Sequence, residues 1–499
     1  MSMSPQPPNI VLITTDQQRY DALGSTNPLV QTPNLDRLAA MGTAFRRGYV
    51  QNPVCIPSRA CIQTGRYVHQ HGVDHMEEVI GETPGLPPWE TTVMERLQRA
   101  GYATAAFGKI HMLPPKGLDE LGLTMGKGAR WTVAEGSPLG PSQLGPVYAD
   151  WLERKHPGGT EALYAQRRQP EYREQATAIV NVLPADEYVD YWIAEQTWEY
   201  LERSHERPFF LWCGFCGPHP PYDPPELYAS RYRPEDVPLP RLLRARQQGV
   251  DGARPSRFDR PDGEALIRKI TAYYWAMVTF IDDMVGRIMA TLTRRGLWEN
   301  TLVIFTSDHG DMLGDFGKLG KENFTEPVVR APYLLVPPGS PPTPPGGAGE
   351  PRNFDGLVEH IDLAPTMLDY AGIKQPAALP GVSLRPILEA EDPTALAFPG
   401  KEAVLCEYVP GHQRWRSTCL RSGRYKYVFS GAGRPAEFYD LQRDPDELVN
   451  VAGDPASRQE VQRHAELLLA RLSETQQTAW SGDPAARSVS LVDGFGRLT

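Results

Sequence analysis

The sequence predicts an α/β fold: a large, mostly parallel sheet sandwiched by helices, followed by a smaller C-terminal α+β subdomain. Three observations carry this expectation. Apolar, β-branched runs alternate with stretches of helical spacing over most of the chain. The first such run ends abruptly in polar residues, as strands do when they deliver side chains to a site at the edge of a parallel sheet. After about Ala395 the pattern changes to short strands separated by turns, which divides the chain into residues 1–394 and 395–499.

The elements follow in order. Asn9 to Thr15 reads as a buried parallel strand ending at Asp16. Thr32-Pro33 before NLDRLAAMG offers a cap and a proline at the first helical position, and Gly42 closes that helix. TTVMERLQRAG is then a helix and YATAAFGK a strand; DEYVDYWIAEQTWEYLERS is a helix and PFFLWCGF a strand. The long stretch EALIRKITAYYWAMVTFIDDMVGRIMATLTRRG is a helix before the strand TLVIFTSDHG, and HIDLAPTMLDYAG has helical spacing with a closing glycine. Pro114 to about Pro184, rich in Gly, Pro and aromatic residues, reads as an irregular insertion. PPGSPPTPPGGAGEPR, ending at Arg352, reads as a solvated loop. The C-terminal unit takes its strands from TCLRSGRYKYVFS and AEFYDLQRDP and its helix from RQEVQRHAELLLARLSET.

Composition bounds the function. A chain of 499 residues that is 40% hydrophobic has material for a sizeable core. Its net charge of −10 excludes a nucleic-acid binder, which needs a basic surface. An anionic small substrate stays open, provided a local group of cations overcomes the global field. No run is long and apolar enough to span a bilayer, and six scattered cysteines do not form a disulfide framework, so a cytoplasmic protein is expected. Cys213 and Cys216 have redox or zinc spacing, but they fall inside a predicted strand with no second ligand pair nearby, and ordinary burial is the expectation.

The stretch CIPSRACIQTG, from Cys55 to Gly65, holds the chemistry. Pro57 favours a fixed turn and SRACIQT continues as a helix, which places Cys55 in a field of unpaired backbone N–H groups. A buried cysteine beside a helix would satisfy this much alone. Cys-x-Pro-Ser-Arg followed by Thr-Gly, however, resembles the signature of the sulfatase family. The resemblance extends over nearly the whole chain, with further marks in the family's order, and includes bacterial arylsulfatases, choline sulfatases and phosphonate monoester hydrolases. It implies an alkaline-phosphatase-like fold and oxidation of Cys55 to formylglycine by a separate formylglycine-generating enzyme. The hydrated aldehyde offers one hydroxyl as nucleophile and keeps a second to expel sulfate. Cys61 lies in the variable part of the signature and is read as helix packing.

The same resemblance implies a divalent metal site. Asp16 and Gln17 follow the first strand and Asp308 and His309 follow another; with the residue 55 oxygen they would form the ligand set. Many sulfatases have two aspartates at the first pair, whereas glutamine in second place resembles choline sulfatases and phosphonate monoester hydrolases. Taken singly, Asp16 and Asp308 could be helix caps and His309 a loop histidine. Relatives with asparagine in place of His309 hold calcium; an imidazole moves the expectation toward manganese, with calcium kept as the alternative.

The cations demanded by an anionic substrate are identified by resemblance. Arg59 resembles the arginine that holds the formylglycine, and Lys109 and His111 in GKIH resemble the family's Gly-Lys-x-His. His219 in GPHPPY and Lys321 in GKENFTEPVVRAP complete the set; near Lys321, Glu326 keeps its offset while Pro327-Val328 stand where the family has glycines. The lysines and His219 are expected to grip sulfate oxygens, one of them protonating the departing alcohol, and His111 to act as base on the second hydroxyl. One of His69, His71 and His75 is expected to orient the nucleophile loop, and Trp131, Tyr148 and Trp151 to wall the pocket for the alcohol portion.

Three functions follow: sulfate ester hydrolysis, phosphonate or phosphate ester hydrolysis with the same machinery, and a metal-binding protein with unmodified Cys55. CIPSR and the Lys109–His111 pair favour the first. Oligomeric state stays open; the terminal helix and the tail after Trp480 are the surfaces offered to a homo-oligomer.

Overall fold

A computed structural model of the chain describes residues 7–74, 85–112, 115–124, 126–127, 146–241, 258–342, 352–391, 399–409, 416–431 and 435–477. The larger sheet contains β1 (Asn9–Asp16), β2 (Thr43–Tyr49), β3 (Ala103–Gly108), β4 (Glu120–Leu123), β5 (Phe209–Pro218), β6 (Thr301–Ser307), β7 (Tyr333–Val336) and β8 (Arg352–Glu359), in the order β4-β3-β5-β1-β6-β7-β2-β8. β1 pairs in parallel with both β5 and β6, and β3 with β4 and β5. β7 runs against both its neighbours. Every residue of β1, β5 and β6 is buried, as the near-continuous apolar runs require of central parallel strands covered on both faces.

Alternation along β1 divides the core between two faces. Val11 and Ile13 join a cluster with Trp192 of helix Val189–Glu202 and Phe280 of the 32-residue helix Gly263–Arg294. Ile10 and Leu12 join the opposite cluster, with Met94 of helix Val93–Arg99 and Met367 of helix Leu363–Tyr370. The C-terminal unit has a four-stranded antiparallel sheet, β12-β11-β10-β9, made of β9 (Ala403–Tyr408), β10 (Ser417–Ser422), β11 (Tyr425–Ser430) and β12 (Glu437–Asp440). Helix Arg458–Gln477 packs Leu468 and Leu472 with Leu420 and Phe438 of that sheet and with Tyr67 beside the signature helix. Among the described residues no helix is long and apolar enough to cross a membrane.

Several expectations are corrected. The insertion is not irregular where it is described: Pro146–Lys155, Gly159–Arg168 and Pro170–Glu174 are helices. Tyr148 is buried, stacks on Trp151 with ring centroids 5.9 Å apart, and donates to the Glu187 carbonyl at 2.8 Å. The Trp151 indole donates to Glu195 at 3.0 Å. Both rings therefore dock the insertion onto helix Val189–Glu202 instead of walling a pocket; Trp131 lies outside the described residues, as does the tail after Trp480. Thr32 does not cap helix Pro33–Met41: its first free N–H groups, on Asn34 and Leu35, donate instead to Asp282 of the long helix at 3.1 and 2.7 Å. β8 begins at Arg352, and residues 343–351 of the Pro/Gly stretch lie outside the described residues. All six cysteines are buried and unbridged, Cys61, Cys213 and Cys216 among them.

Candidate active site

Four adjacent parallel strands, β3, β5, β1 and β6, end at one edge of the sheet, and the residues that follow them converge there. β1 delivers Asp16 and then Gln17; β6 delivers Asp308 and His309; β3 is followed by Lys109 and His111; His219 follows β5. Gly108 and Gly214 let β3 and β5 close up: Gly108 has φ +91°, and a Cβ on it would stand 2.1 Å from the Gly214 carbonyl oxygen. Helix Cys55–Thr64, buried at all ten positions, brings the nucleophile candidate to this edge at its first residue.

Cys55 Sγ lies 3.7 Å from Asp16 Oδ1, 3.2 Å from His309 Nε2 and 2.6 Å from Lys321 Nζ. One donor atom from each of Asp16, Cys55, Asp308 and His309 lies within 4.8 Å of the others, all four residues being buried. Lys321, included in the expected cation set although Pro327-Val328 further along replace the family's glycines, is in direct contact with residue 55. Arg59 is fully buried beneath the group, with Nε 2.8 Å from Asp308 Oδ2 and Nη2 3.2 Å from Asp16 Oδ2. It also donates to the Lys109 carbonyl, and the Gln63 amide donates to the Ile110 carbonyl at 2.9 Å, so the signature helix holds the turn that carries Lys109 and His111. Arg59 thus reaches the residue 55 side chain through the carboxylates it fixes. His111 is 8% exposed and takes a left-handed backbone, φ 48°.

Three cations, Arg59, Lys109 and Lys321, face two carboxylates here, which is the local positive excess that the net charge demands for an anionic substrate. Burial opposes charge on Asp16, but Lys109 at 2.8 Å, then His219, Arg59 and Lys321, hold its carboxyl well below the usual range. Burial and then Asp16 push the Cys55 thiol up to about 11 against the pull of Lys321 and Lys109. Burial lowers His309 to about 4. Its Nδ1–H donates to the Gly310 carbonyl at 2.9 Å, which leaves the Nε2 lone pair facing residue 55, the tautomer a metal ligand needs. Burial and then Lys109 keep half-buried His219 well below its ordinary value; its Nδ1–H is committed to the Pro220 carbonyl at 2.7 Å, leaving Nε2 as the ring nitrogen without a partner among the described residues.

Gln17 takes φ 70° and its amide nitrogen donates to Asp311, so the amide oxygen is the end left over; it is buried without a hydrogen-bond partner among the described residues. An orphaned buried oxygen beside two carboxylates and an imidazole is a donor set that fits a divalent cation.

Comparison with known proteins places this geometry. The profile of the sulfatase family matches residues 8–373, and that of the C-terminal part of N-sulphoglucosamine sulphohydrolase matches residues 314–477. This chain belongs to the sulfatase family. It is a sulfuric ester hydrolase by that membership and by its relatives. An arylsulfatase of Clostridium perfringens is 28% identical, with 95% of this chain and 96% of that protein covered. A choline-sulfatase of Rhizobium meliloti is 30% identical over 90% of this chain and 83% of its own length. The crystal structure of the phosphonate monoester hydrolase of Agrobacterium radiobacter superposes with a TM-score of 0.73 at 25% identity, covering 94% of this chain and 96% of that one. The fold is accordingly the alkaline-phosphatase-like fold of the sulfatases.

Other residues of this sulfatase do not act as expected. His69 pairs with Glu407 at 2.9 Å and contacts Thr475 of the terminal helix at 2.9 Å, which ties the signature region to the C-terminal unit. His71 contacts Cys61 at 3.3 Å, on the signature helix but away from residue 55; His75 lies outside the described residues. The sequence reading passed over Asp311, which accepts from Gln17, from Tyr222 at 3.1 Å, and from the backbone of Leu313 and Gly320 at 2.6 and 3.0 Å. Its place in SDHGD, two residues past the imidazole, was the available signal. Lys127 was also passed over: buried beneath the His219 loop, it donates to the Pro221 carbonyl at 2.6 Å and pairs with Asp223 at 3.3 Å.

Proposed function

We propose that this sulfatase hydrolyses sulfate esters of small alcohols or phenols with a formylglycine made from Cys55 by a formylglycine-generating enzyme. The observation that carries the reading is the convergence on Cys55 Sγ of a lysine at 2.6 Å, an imidazole at 3.2 Å and a carboxylate at 3.7 Å. Hydrated formylglycine supplies a hydroxyl nucleophile and a second hydroxyl for release of the product. Asp16, Gln17, Asp308, His309 and residue 55 would hold a divalent ion, which supplies Lewis acidity toward a sulfuryl oxygen and toward the nucleophile. The imidazole favours manganese over calcium.

The chain's own residues divide the remaining work. Lys109 and Lys321, protonated, bind the sulfuryl oxygens and stabilise the charge that grows on them. His219 Nε2 gains a proton once the bound anion favours its charged form, and gives that proton to the departing alkoxide. His111 takes the proton of the second hydroxyl. Arg59 fixes Asp16 and Asp308 and exchanges no proton. Six buried, unbridged thiols support a cytoplasmic location.

Two measurements test the reading. The peptide carrying residue 55 should have the mass of the aldehyde, lighter than the thiol form. A panel of aryl sulfates, choline sulfate and phenyl phosphonates, compared by kcat/KM, should rank a sulfate first. The similarity to a phosphonate monoester hydrolase supplies the second reading, a phosphonate or phosphate ester substrate for the same machinery, and a phosphonate ranked first would establish it.

A further inference from the structure

We propose that Lys426 and Glu447, both contributed by the C-terminal unit, are positioning residues for Lys321. The inference rests on the reading above that Lys321 works on the substrate.

Lys321 begins an arch whose two ends are held differently. At its start, the Gly320 N–H donates to Asp311 at 3.0 Å and the Gly320 carbonyl accepts from Met312 at 2.6 Å, bonds within the larger unit. At its far end the arch is held from the other unit. Lys426 of β11 donates to the Phe324 carbonyl at 2.7 Å and pairs with Glu326 at 2.9 Å. Glu447 accepts from the Glu326 backbone N–H at 2.8 Å and pairs with Lys426. Tyr49 closes the group by donating to the second oxygen of Glu326 at 2.8 Å. Lys426 is 1% exposed by its side chain and Glu447 2%.

Two buried ion pairs sharing one ammonium are a costly arrangement to build and a costly one to break, because removing one partner strands the other's charge. Neither Lys426 nor Glu447 touches Cys55, Asp16 or His309 in any of these contacts. What they hold is the backbone of residues 324 and 326, three and five positions beyond a lysine whose Nζ stands 2.6 Å from the nucleophile position. A shift of about 1 Å in such a group costs on the order of a hundredfold in rate. The C-terminal sheet therefore completes the active site by setting where Lys321 can reach.

A double-mutant cycle tests this. Lys426→Met and Lys321→Ala are made singly and together in the full chain, with kcat/KM on an aryl sulfate and the thermal midpoint recorded for each. Lys426→Met alone should lower kcat/KM by roughly thirtyfold, and Lys426→Arg, which keeps the charge, should recover part of the loss. In the Lys321→Ala background the same change should cost less than about threefold, since residues acting through one group are not additive. Glu447→Gln, nearly equal in volume, gives the same cycle should Lys426→Met fail to fold. An undiminished loss in the Lys321→Ala background would overturn the positioning role while leaving Lys321 in the site. Full activity of Lys321→Ala itself would instead overturn the reading of Lys321, and this proposal with it.

Discussion

Arg59 and Asp308 form a fully buried ion pair, 2.8 Å between Nε and Oδ2, at the floor of the site. The same guanidinium reaches Asp16 at 3.2 Å, so one planar cation sets the separation of two carboxylates that come from different strands. A lysine cannot reproduce that fork. Arg59→Lys should therefore leave a folded protein in which kcat/KM falls by about a hundredfold or more, roughly 3 kcal/mol. Arg59→Met, which strands two buried carboxylates, should in addition lower the thermal midpoint. Activity assays and a melting curve on both variants check this; equal activity of Arg59→Lys and the parent would contradict it.

His309 contributes the one nitrogen to a candidate ligand set that is otherwise oxygen, apart from residue 55. Replacing an imidazole by an amide oxygen should move metal preference toward a hard ion. We predict that His309→Asn retains calcium better, and manganese worse, than the parent does. Metal content after dialysis against an equimolar mixture of the two ions reads the ratio directly, and an unchanged ratio would remove His309 from the ligand set.

What the sequence disclosed, and what it withheld, follows from where information lies along the chain. β1, β5 and β6 are buried on both faces, so they are unbroken apolar runs and were legible. β2 was not, because exposed Arg46 and half-buried Arg47 interrupt TAFRRGY, and β8 was hidden in the weak alternation of RNFDGLVE. The candidate site residues stand where a sequence can point to them: four groups lie at or just past strand ends, and Cys55 and Arg59 share one contiguous signature. Arg59 was legible as a residue but not in its partners, since bonds to Asp16 and Asp308 span 43 and 249 positions. Lys426 and Glu447 carry no local signal, because a buried lysine in YKY and a glutamate in a turn acquire meaning only when the C-terminal sheet is docked against the Glu326 turn.

Asp282 tests a long-range cap of that kind. Its carboxylate accepts from the N–H groups of Asn34 and Leu35 and from the Asn34 side chain at 2.9 Å, doing from the long helix what Thr32 was expected to do locally. Asp282→Ala should destabilise by about 1–2 kcal/mol, the range for loss of a helix N-cap. Thr32→Val should not lose this capping contribution. Since neither residue meets the site, kcat of the folded fraction should be unchanged in both; chemical denaturation with parallel activity measurement distinguishes the two.

His71 provides a prediction about acid stability. Its Nδ1 accepts from the Val73 N–H at 3.1 Å, so the ring proton lies on Nε2 and points at Cys61 at 3.3 Å. A second proton would remove that acceptor in a fully buried position, and burial accordingly lowers the ring to about 3 from an ordinary 6.5. Between these values the unfolded chain binds a proton at His71 that the folded chain refuses. The stabilising contribution is thus complete above pH 6.5 and is lost as pH falls toward 3, at up to about 1.4 kcal/mol per pH unit. Glu407, depressed to about 2 by His69 and Arg416 despite its burial, adds a loss of the same sign at lower pH, but that one is common to parent and variant. His71→Asn should start with a lower thermal midpoint at pH 7.5, from the lost contacts. It should then fall less steeply than the parent between pH 6.5 and 4, so that the gap between the two closes on acidification. Parallel profiles across that window would mean that His71 is not held neutral by burial.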